Sequence, residues 1–184
     1  MLNEKVNALT TNGQKVRLHL GCGPFLFDGY INVDGDYIQN PNVVNYNISV
    51  TPYPLPDNSV DEILSVHVIE HIERWLIEDM LTEWLRILKP GGIVAIEWPD
   101  LLKACKMIVN EPNGLIGENK KLAKHTLHAI FGNPRFSHRA MMHAYGYSVD
   151  SLSAILLKVG FSKTYSEENL HRKTAVDSRI VGIK

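Results

Sequence analysis

The chain has 184 residues, of which 45% are hydrophobic and 21% are charged, and its formal net charge is −1. This composition is typical of one globular domain and excludes collagen-like, fibrous and disordered chains. The small net charge creates no overall field that would draw the protein to nucleic acid or to an anionic membrane.

Cysteine usage and hydropathy indicate the compartment. Cys22 and Cys105 are the two cysteines, and their wide separation fits neither a disulfide framework nor a metal site. The first residues contain no apolar signal core, and no apolar run approaches the ~18 residues of a membrane span. We therefore expect a soluble, cytoplasmic protein that contacts no membrane.

Short apolar or β-branched runs predict seven strands, most of them bounded by Gly, Asp, Asn or Pro. In chain order these runs are 16–20, 30–33, 43–48, 60–66, 93–98, 161–165 and 180–183. Strands that alternate with helices favour parallel pairing through right-handed crossovers. The connections 21–29 and 49–59 are too short for a crossover helix, so we expect one face of the sheet to be thinly covered. Either the N-terminal segment or a second subunit in a homodimer would cover that face.

The helices are predicted from apolar spacing. They are 76–88, 120–131, 151–159 and a short leading helix around Val6 and Leu9. The first is the clearest, because apolar residues recur at three- and four-residue steps until Lys89-Pro90-Gly91-Gly92. For helix 151–159 we predict Asp150 as the N-cap and Gly160 as the terminating residue.

The run Leu18-His19-Leu20-Gly21-Cys22-Gly23 predicts a strand that ends in a sharp glycine turn. A ligand can approach the backbone closely at such a turn. A dinucleotide fingerprint would require Gly or Ala at position 26 and an acid about 20 residues further on. The chain has Leu26 and an earlier acid, Asp34, so the turn does not fit dinucleotide binding.

Three stretches in order carry a resemblance to a known family: LHLGCG, then INVD, then LPDNSVDEILSVHVIEHI continuing to LRILKPGGIVAIEWPD. Together they span about residues 16–100, and they resemble the class I, Rossmann-like S-adenosylmethionine-dependent methyltransferases, in particular the small type-11-like group. The resemblance implies a single α/β domain over residues 1–184. It also implies a seven-stranded, mostly parallel sheet with an antiparallel last strand and flanking helices that are reduced on one face.

The resemblance further implies S-adenosyl-L-methionine as the cofactor. The implied cofactor-binding residues are Leu20, Gly21, Cys22, Gly23, Asp34, Asn47, Ile48 and His67. Asp34 would accept both ribose hydroxyls, and the glycine turn would face the methionyl group. Asn47 departs from the acid that the family commonly places near the adenine amino group. His19 also departs from the family, and it either accepts from the cofactor or packs in the interior.

The catalytic candidates are His67, Asp100 and His138. A histidine titrates near neutrality, and His67 ends a strand at the edge where open α/β sheets bind ligands. A base is needed when the acceptor is a hydroxyl or a protonated amine. Asp100 would be a base or substrate anchor, or alternatively a helix N-cap. His71 is placed equally well beside the cofactor or in the packing of the next helix.

Residues 103–147 form a basic, histidine-rich segment that we expect to be a lid over the methyl acceptor. Residues 103–143 hold seven Lys or Arg and two Asp or Glu, together with His125, His128, His138 and His143. This pattern favours a small anionic acceptor, methylated at oxygen or nitrogen, although a solvated basic face explains it as well. Two other functions stay open. One is an inactive cofactor-binding domain, and the other is a metal-dependent hydrolase that uses the His125–His143 run; the favoured function needs no metal.

Overall fold

Alternating apolar residues and turn signals produce the strands and helices of this α/β chain. The computed structural model describes residues 2–35, 40–112, 125–135, 137, 139–171 and 174–184. The helices are α1 (Leu2–Thr11), α2 (Ile77–Ile87), α3 (Leu101–Asn110), α4 (Leu127–Phe131) and α5 (Val149–Val159). The strands are β1 (Arg17–Leu20), β2 (Ile31–Asp34), β3 (Val43–Asn45), β4 (Val60–Val66), β5 (Leu88–Pro99), β6 (Lys163–Glu167) and β7 (Asp177–Ile183).

The described strands form one sheet in the order β3-β2-β1-β4-β5-β7-β6. The pairs from β3 through β5 are parallel, whereas β7 runs antiparallel to both β5 and β6. This confirms the predicted seven-stranded, mostly parallel sheet with an antiparallel last strand. The carboxyl ends of β1, β2 and β4 therefore meet at one edge of the sheet, where open α/β folds bind their ligands.

One face of the sheet carries most of the apolar core. Leu18 and Leu20 of β1 point into this core, which also contains Trp84 of α2 and Leu156 of α5. The Trp84 indole N–H donates to the Tyr53 hydroxyl at 2.8 Å, so this large core side chain keeps its polar atom bonded. This packing confirms the amphipathic helix predicted at 76–88.

The opposite face is thinly covered, as predicted from the short connections. Leu64, Ala95 and Val181 form its small buried cluster, against which Phe27 and Tyr30 pack. Among the described residues, no helix lies in the connections 21–30 and 46–59. The N-terminal segment does not cover this face, because Leu2 and Val6 of α1 join the larger cluster instead. The homodimer stays a prediction.

Some predicted boundaries are wrong. The N-cap of α5 is Ser148, not Asp150, because Ser148 and Ser151 form a reciprocal capping box. Gly160 ends α5 with a φ of 114°, as predicted. Of the helix predicted at 120–131, Leu127–Phe131 is helical and residues 120–124 lie outside the described residues. Within the described chain, no helix is both apolar enough and long enough to cross a bilayer.

Candidate active site

The glycine turn after β1 is held against β2. Gly21 and Gly23 have φ values of +74° and +50°, in the left-handed region that favours glycine. The backbone N–H groups of Gly21 and Cys22 both donate to the Val33 carbonyl, at 2.9 and 3.1 Å. Open space surrounds the position where a side chain would begin on Gly23, so a ligand can reach the backbone there. Leu20, directly before the turn, is fully buried in the core.

Asp34, at the end of β2, lies beside this turn. One of its carboxylate oxygens accepts the Gly23 N–H at 2.8 Å. Gly35 follows, and a Cβ on it would lie 2.6 Å from the Asn47 Cα, so the chain after β2 and the chain after β3 are in close contact. The structure therefore brings the predicted residues Gly21, Gly23, Asp34 and Asn47 to one edge of the sheet.

The remaining cofactor candidates differ in exposure. The Asn47 side chain is exposed, and its amide oxygen accepts the Ser49 N–H at 3.0 Å. Ile48 is 8% exposed and belongs to the large apolar cluster. Cys22 is buried, and this burial raises the pKa of its thiol to about 11. The Cys22 thiol is therefore neutral at physiological pH, which fits a small spacer better than a nucleophile.

A cleft of about 600 Å³ opens beside the glycine turn on the thin face of the sheet. Its walls include His19, Phe27, Val66 and His171. The His19 ring Nδ1 lies 3.1 Å from the Asn32 amide oxygen, and the ring packs on Phe27 with centroids 4.6 Å apart. Burial lowers the pKa of His19 to about 4, more than its bond to Asn32 raises it, so this histidine is neutral. Both alternatives for His19 are thus compatible with its position.

His67 follows β4 with a φ of +55°, an unusual conformation for a residue other than glycine. Its Nδ1 lies 3.3 Å from Glu70 Oε1, and its Nε2 lies 3.4 Å from Asp177 Oδ1. Burial alone would lower the pKa of His67, but Asp177 and Glu70 outweigh that effect and raise it to about 9. A histidine that is already protonated cannot accept a proton, so this geometry does not support His67 as the general base.

Asp100 has the structural role that the sequence offered as its alternative, the N-cap of a helix. One carboxylate oxygen accepts the backbone N–H groups of Leu102 and Lys103 at the start of α3, at 2.8 and 3.1 Å. The other accepts the Ser178 hydroxyl at 2.9 Å. Because both oxygens are engaged and the residue is 3% exposed, Asp100 acts as an N-cap and we assign it no chemical step. His138 lies outside the described residues.

The sequence analysis did not identify Glu70 as part of the site. This carboxylate stands beside His71, directly after β4, and His143 lies against both in the fold. The signal in the sequence is weak: an acid that follows the apolar pair Val68-Ile69 and directly precedes His71. The distance of 72 positions between His71 and His143 hides their contact.

Comparisons with known proteins agree with this geometry. Residues 28–96 match the family model described as "Methyltransferase domain". A relative from Mycolicibacterium smegmatis, described as "Probable S-adenosylmethionine-dependent methyltransferase", is 40% identical over 47 residues. That segment is 26% of this chain and 18% of the relative, so the match spans less than a fifth of the relative's length.

Solved structures show the same fold. A SAM-dependent methyltransferase from Archaeoglobus fulgidus matches 97% of this chain and 92% of its own length, with a TM-score of 0.63 and 17% identity. An S-adenosylmethionine-dependent methyltransferase from Mesorhizobium loti matches 92% of this chain and 90% of its own length, with a TM-score of 0.58 and 11% identity.

The strand order and these matches together define a class I, Rossmann-like methyltransferase fold. Residues 28–96 and the 47-residue segment are thus similar to S-adenosylmethionine-dependent methyltransferases, in agreement with the resemblance carried by the motifs. The matched domain and this fold imply S-adenosyl-L-methionine as the cofactor. The accessible backbone at Gly23 and the carboxylate of Asp34 beside it fit such a nucleoside.

Proposed function

We propose that this protein transfers a methyl group from S-adenosylmethionine to a small acceptor, at oxygen or nitrogen. The observation that carries the proposal is the contact between Asp34 and Gly23, at 2.8 Å, at the carboxyl edge of a class I methyltransferase sheet. It places a carboxylate for hydroxyl groups next to a turn whose backbone a ligand can reach.

The residues that would hold the cofactor follow from their positions. The backbone of Leu20, Gly21, Cys22 and Gly23 would face the methionyl group, and Asp34 would accept the ribose hydroxyls. Asn47, with its exposed side-chain amide, and Ile48 would lie on the adenine side. When bound, S-adenosylmethionine supplies a methyl group that its sulfonium sulfur has already activated.

This chain's contribution is mainly to hold the two reactants in line. A displacement between oriented reactants gains about 7–11 kcal/mol from avoided loss of translational and rotational freedom. His67, fixed between Glu70 and Asp177, shapes the end of β4 where the acceptor would approach. It acts as a positioning residue in this proposal.

The acceptor in our proposal is small and anionic. Arg135 and Arg139 are exposed on the segment that leads to His143. The Arg74 guanidinium carbon lies 5.9 Å from the centre of the Tyr145 ring, and Arg74 also pairs with Glu78 at 3.2 Å. Arginine forks suit carboxylate and phosphate groups, and the half-exposed Tyr145 offers a ring on which an acceptor can stack.

Calorimetric titration with S-adenosylhomocysteine tests the cofactor site. We expect the wild type to bind and Asp34→Ala to bind about 10- to 150-fold more weakly, because hydrogen bonds to a charged group contribute about 1.5–3 kcal/mol. Asp34→Asn keeps an acceptor for the Gly23 N–H but loses the charge, so its affinity should fall as well. Asp28→Ala, at an exposed carboxylate in the loop before β2, is the matched control.

Three outcomes would contradict parts of this proposal. A wild-type chain that does not bind S-adenosylhomocysteine would refute the cofactor site. Equal binding by the wild type and both Asp34 variants would move the ribose contact away from Asp34. Binding without turnover of any acceptor would instead favour the inactive cofactor-binding domain.

A further inference from the structure

Three side chains capable of binding a metal converge where β4 ends. Glu70 and His71 lie in the 3-10 turn Ile69–His71 that follows β4, and His143 lies on the segment after the 3-10 turn Arg139–Met141. One ligand atom from each residue lies within 4.8 Å of the other two. The two imidazole rings meet edge to face, with centroids 4.9 Å apart and an interplanar angle of 89°.

The second observation is the state of the Glu70 carboxylate. Glu70 is 1% exposed, and neither of its oxygens has a hydrogen bond in the described structure. Its oxygen Oε1 lies 3.3 Å from His67 Nδ1 and 3.9 Å from His71 Nε2. A buried carboxylate is costly unless it is fully hydrogen-bonded or binds a cation. His67 supplies a single positive charge that Glu70 shares with Asp177, so Glu70 retains capacity to bind a cation on the side that faces His71 and His143.

The two histidines are oriented as metal ligands usually are. The ring Nδ1 of His71 lies 3.1 Å from the Met142 carbonyl, and the ring Nδ1 of His143 lies 3.1 Å from the Ala129 carbonyl. A carbonyl only accepts, so each Nδ1 carries a proton, and Nε2 is the ring nitrogen left to bind a cation. Metal-bound histidines are typically fixed by this outer hydrogen bond.

The surrounding residues hold the three groups in place. The Glu70 backbone carbonyl accepts the N–H groups of Ala144 and Tyr145, at 2.6 and 3.2 Å, so the segment that carries His143 is bound to Glu70 itself. On the other side, His67 forms ion pairs with both Asp177 and the Glu70 carboxylate. Such outer contacts orient a carboxylate ligand and are a regular part of metal sites.

We propose that Glu70, His71 and His143 bind one divalent first-row transition cation, and that its open coordination positions bind an oxygen of the methyl acceptor. Two imidazoles and one carboxylate are a common set for zinc and for related ions with open positions. Bonds of about 2.0–2.2 Å require the ligand atoms to approach one another by about 1 Å, which side-chain rotation allows. The metal site is independent of the proposed function, whereas the role of the acceptor oxygen rests on it.

The site differs from the histidine run that the sequence suggested. Among the described residues, His143 groups with Glu70 and His71, while His125 and His128 belong to no such group. His128 is therefore a matched control on the same segment. A cation at the proposed site would also stabilise the alkoxide form of a hydroxyl acceptor, which is the usual effect of a Lewis acid.

The test is calorimetric titration of the untagged, chelator-treated chain with Zn²⁺ alone. We expect one ion per chain, at least 10-fold weaker binding in His143→Gln and His71→Gln, and unchanged binding in His128→Gln. Co²⁺ supplies a second readout, because its visible absorption bands report direct ligation; they should appear in the wild type and be lost in His143→Gln. Circular dichroism verifies that each variant is folded.

Three results would overturn the metal site. These are a wild type that binds no Zn²⁺, an affinity that survives in both His71→Gln and His143→Gln, and an equal loss in His128→Gln. Titration with S-adenosylhomocysteine, run in parallel, separates this proposal from the proposed function. Zinc binding without nucleoside binding would refute the cofactor site and retain the metal site. Nucleoside binding without zinc binding would refute the metal site and retain the cofactor site.

Discussion

The buried neutral histidine in the cleft beside the glycine turn predicts a measurable acid sensitivity. His19 is 1% exposed, and its pKa is lowered from 6.5 to about 4, chiefly by burial. At a pH between these two pKa values, His19 is therefore less protonated in the folded state than in the unfolded state. The stability that neutral His19 contributes is complete above pH 6.5 and is lost as the pH falls towards 4.

The size of the effect follows from the two pKa values. One unit corresponds to about 1.4 kcal/mol, so the full shift amounts to about 3 kcal/mol. Linkage gives a loss of about 1.4 kcal/mol at pH 5.5 and about 2 kcal/mol at pH 5, relative to neutral pH. His19→Gln removes the titrating group and keeps a donor for the Asn32 amide oxygen, which lies 3.1 Å from the ring.

Urea unfolding of the wild type and His19→Gln between about pH 5 and pH 7.5 measures this difference. Other groups titrate in the same range, but their contributions cancel when the two proteins are compared at each pH. We expect the wild type to lose more stability than the variant by the amounts above. Parallel curves for the two proteins would refute the reasoning, because they would show that His19 titrates equally in both states.

Three further substitutions test the framework of the site by urea unfolding. Gly35→Ala places a Cβ 2.6 Å from the Asn47 Cα and should lower the unfolding free energy by about 1–3 kcal/mol; a neutral effect would contradict the close approach of the two strand ends. His67→Gln removes the cation between two carboxylates and should cost about 3–5 kcal/mol, whereas a cost below about 1 kcal/mol would argue against a buried ion pair. Trp84→Phe loses the indole bond to the Tyr53 hydroxyl and should cost about 1–3 kcal/mol, and an unchanged midpoint would contradict that contact.

Local signals made much of the fold predictable. Strand β4 has the predicted bounds, and α2 ends near the predicted residue, because both depend on the spacing of their own apolar side chains. The start of β5 was not predictable in this way. Its first residue, Leu88, is extended because it pairs with Val60, and Gly91 is held by a bond to the Lys184 carbonyl. Such pairings join distant positions and leave no local pattern.

The same distinction holds for the site. The turn at Gly21 and the acid at Asp34 are visible as motifs, since glycine and a strand-terminal acid carry meaning by position alone. The grouping of Glu70 with His143 was not visible, because it depends on how the 139–147 segment folds back onto the turn that follows β4. The protonated state of His67 could not be predicted from the sequence either, since one of its two carboxylate partners, Asp177, comes from the last strand.

The direction of β7 has a consequence for how the protein is made. Because this strand runs antiparallel to its neighbours, its first residue, Asp177, arrives at the same edge as His67, 110 positions earlier. On the ribosome, the nascent chain therefore contains His67 and its first partner, Glu70, long before the second partner of His67, Asp177, is synthesised. The ion pair between His67 and Asp177 therefore forms only once the hairpin of β6 and β7 is complete. A chain truncated before β7 would lack this ion pair at the end of β4.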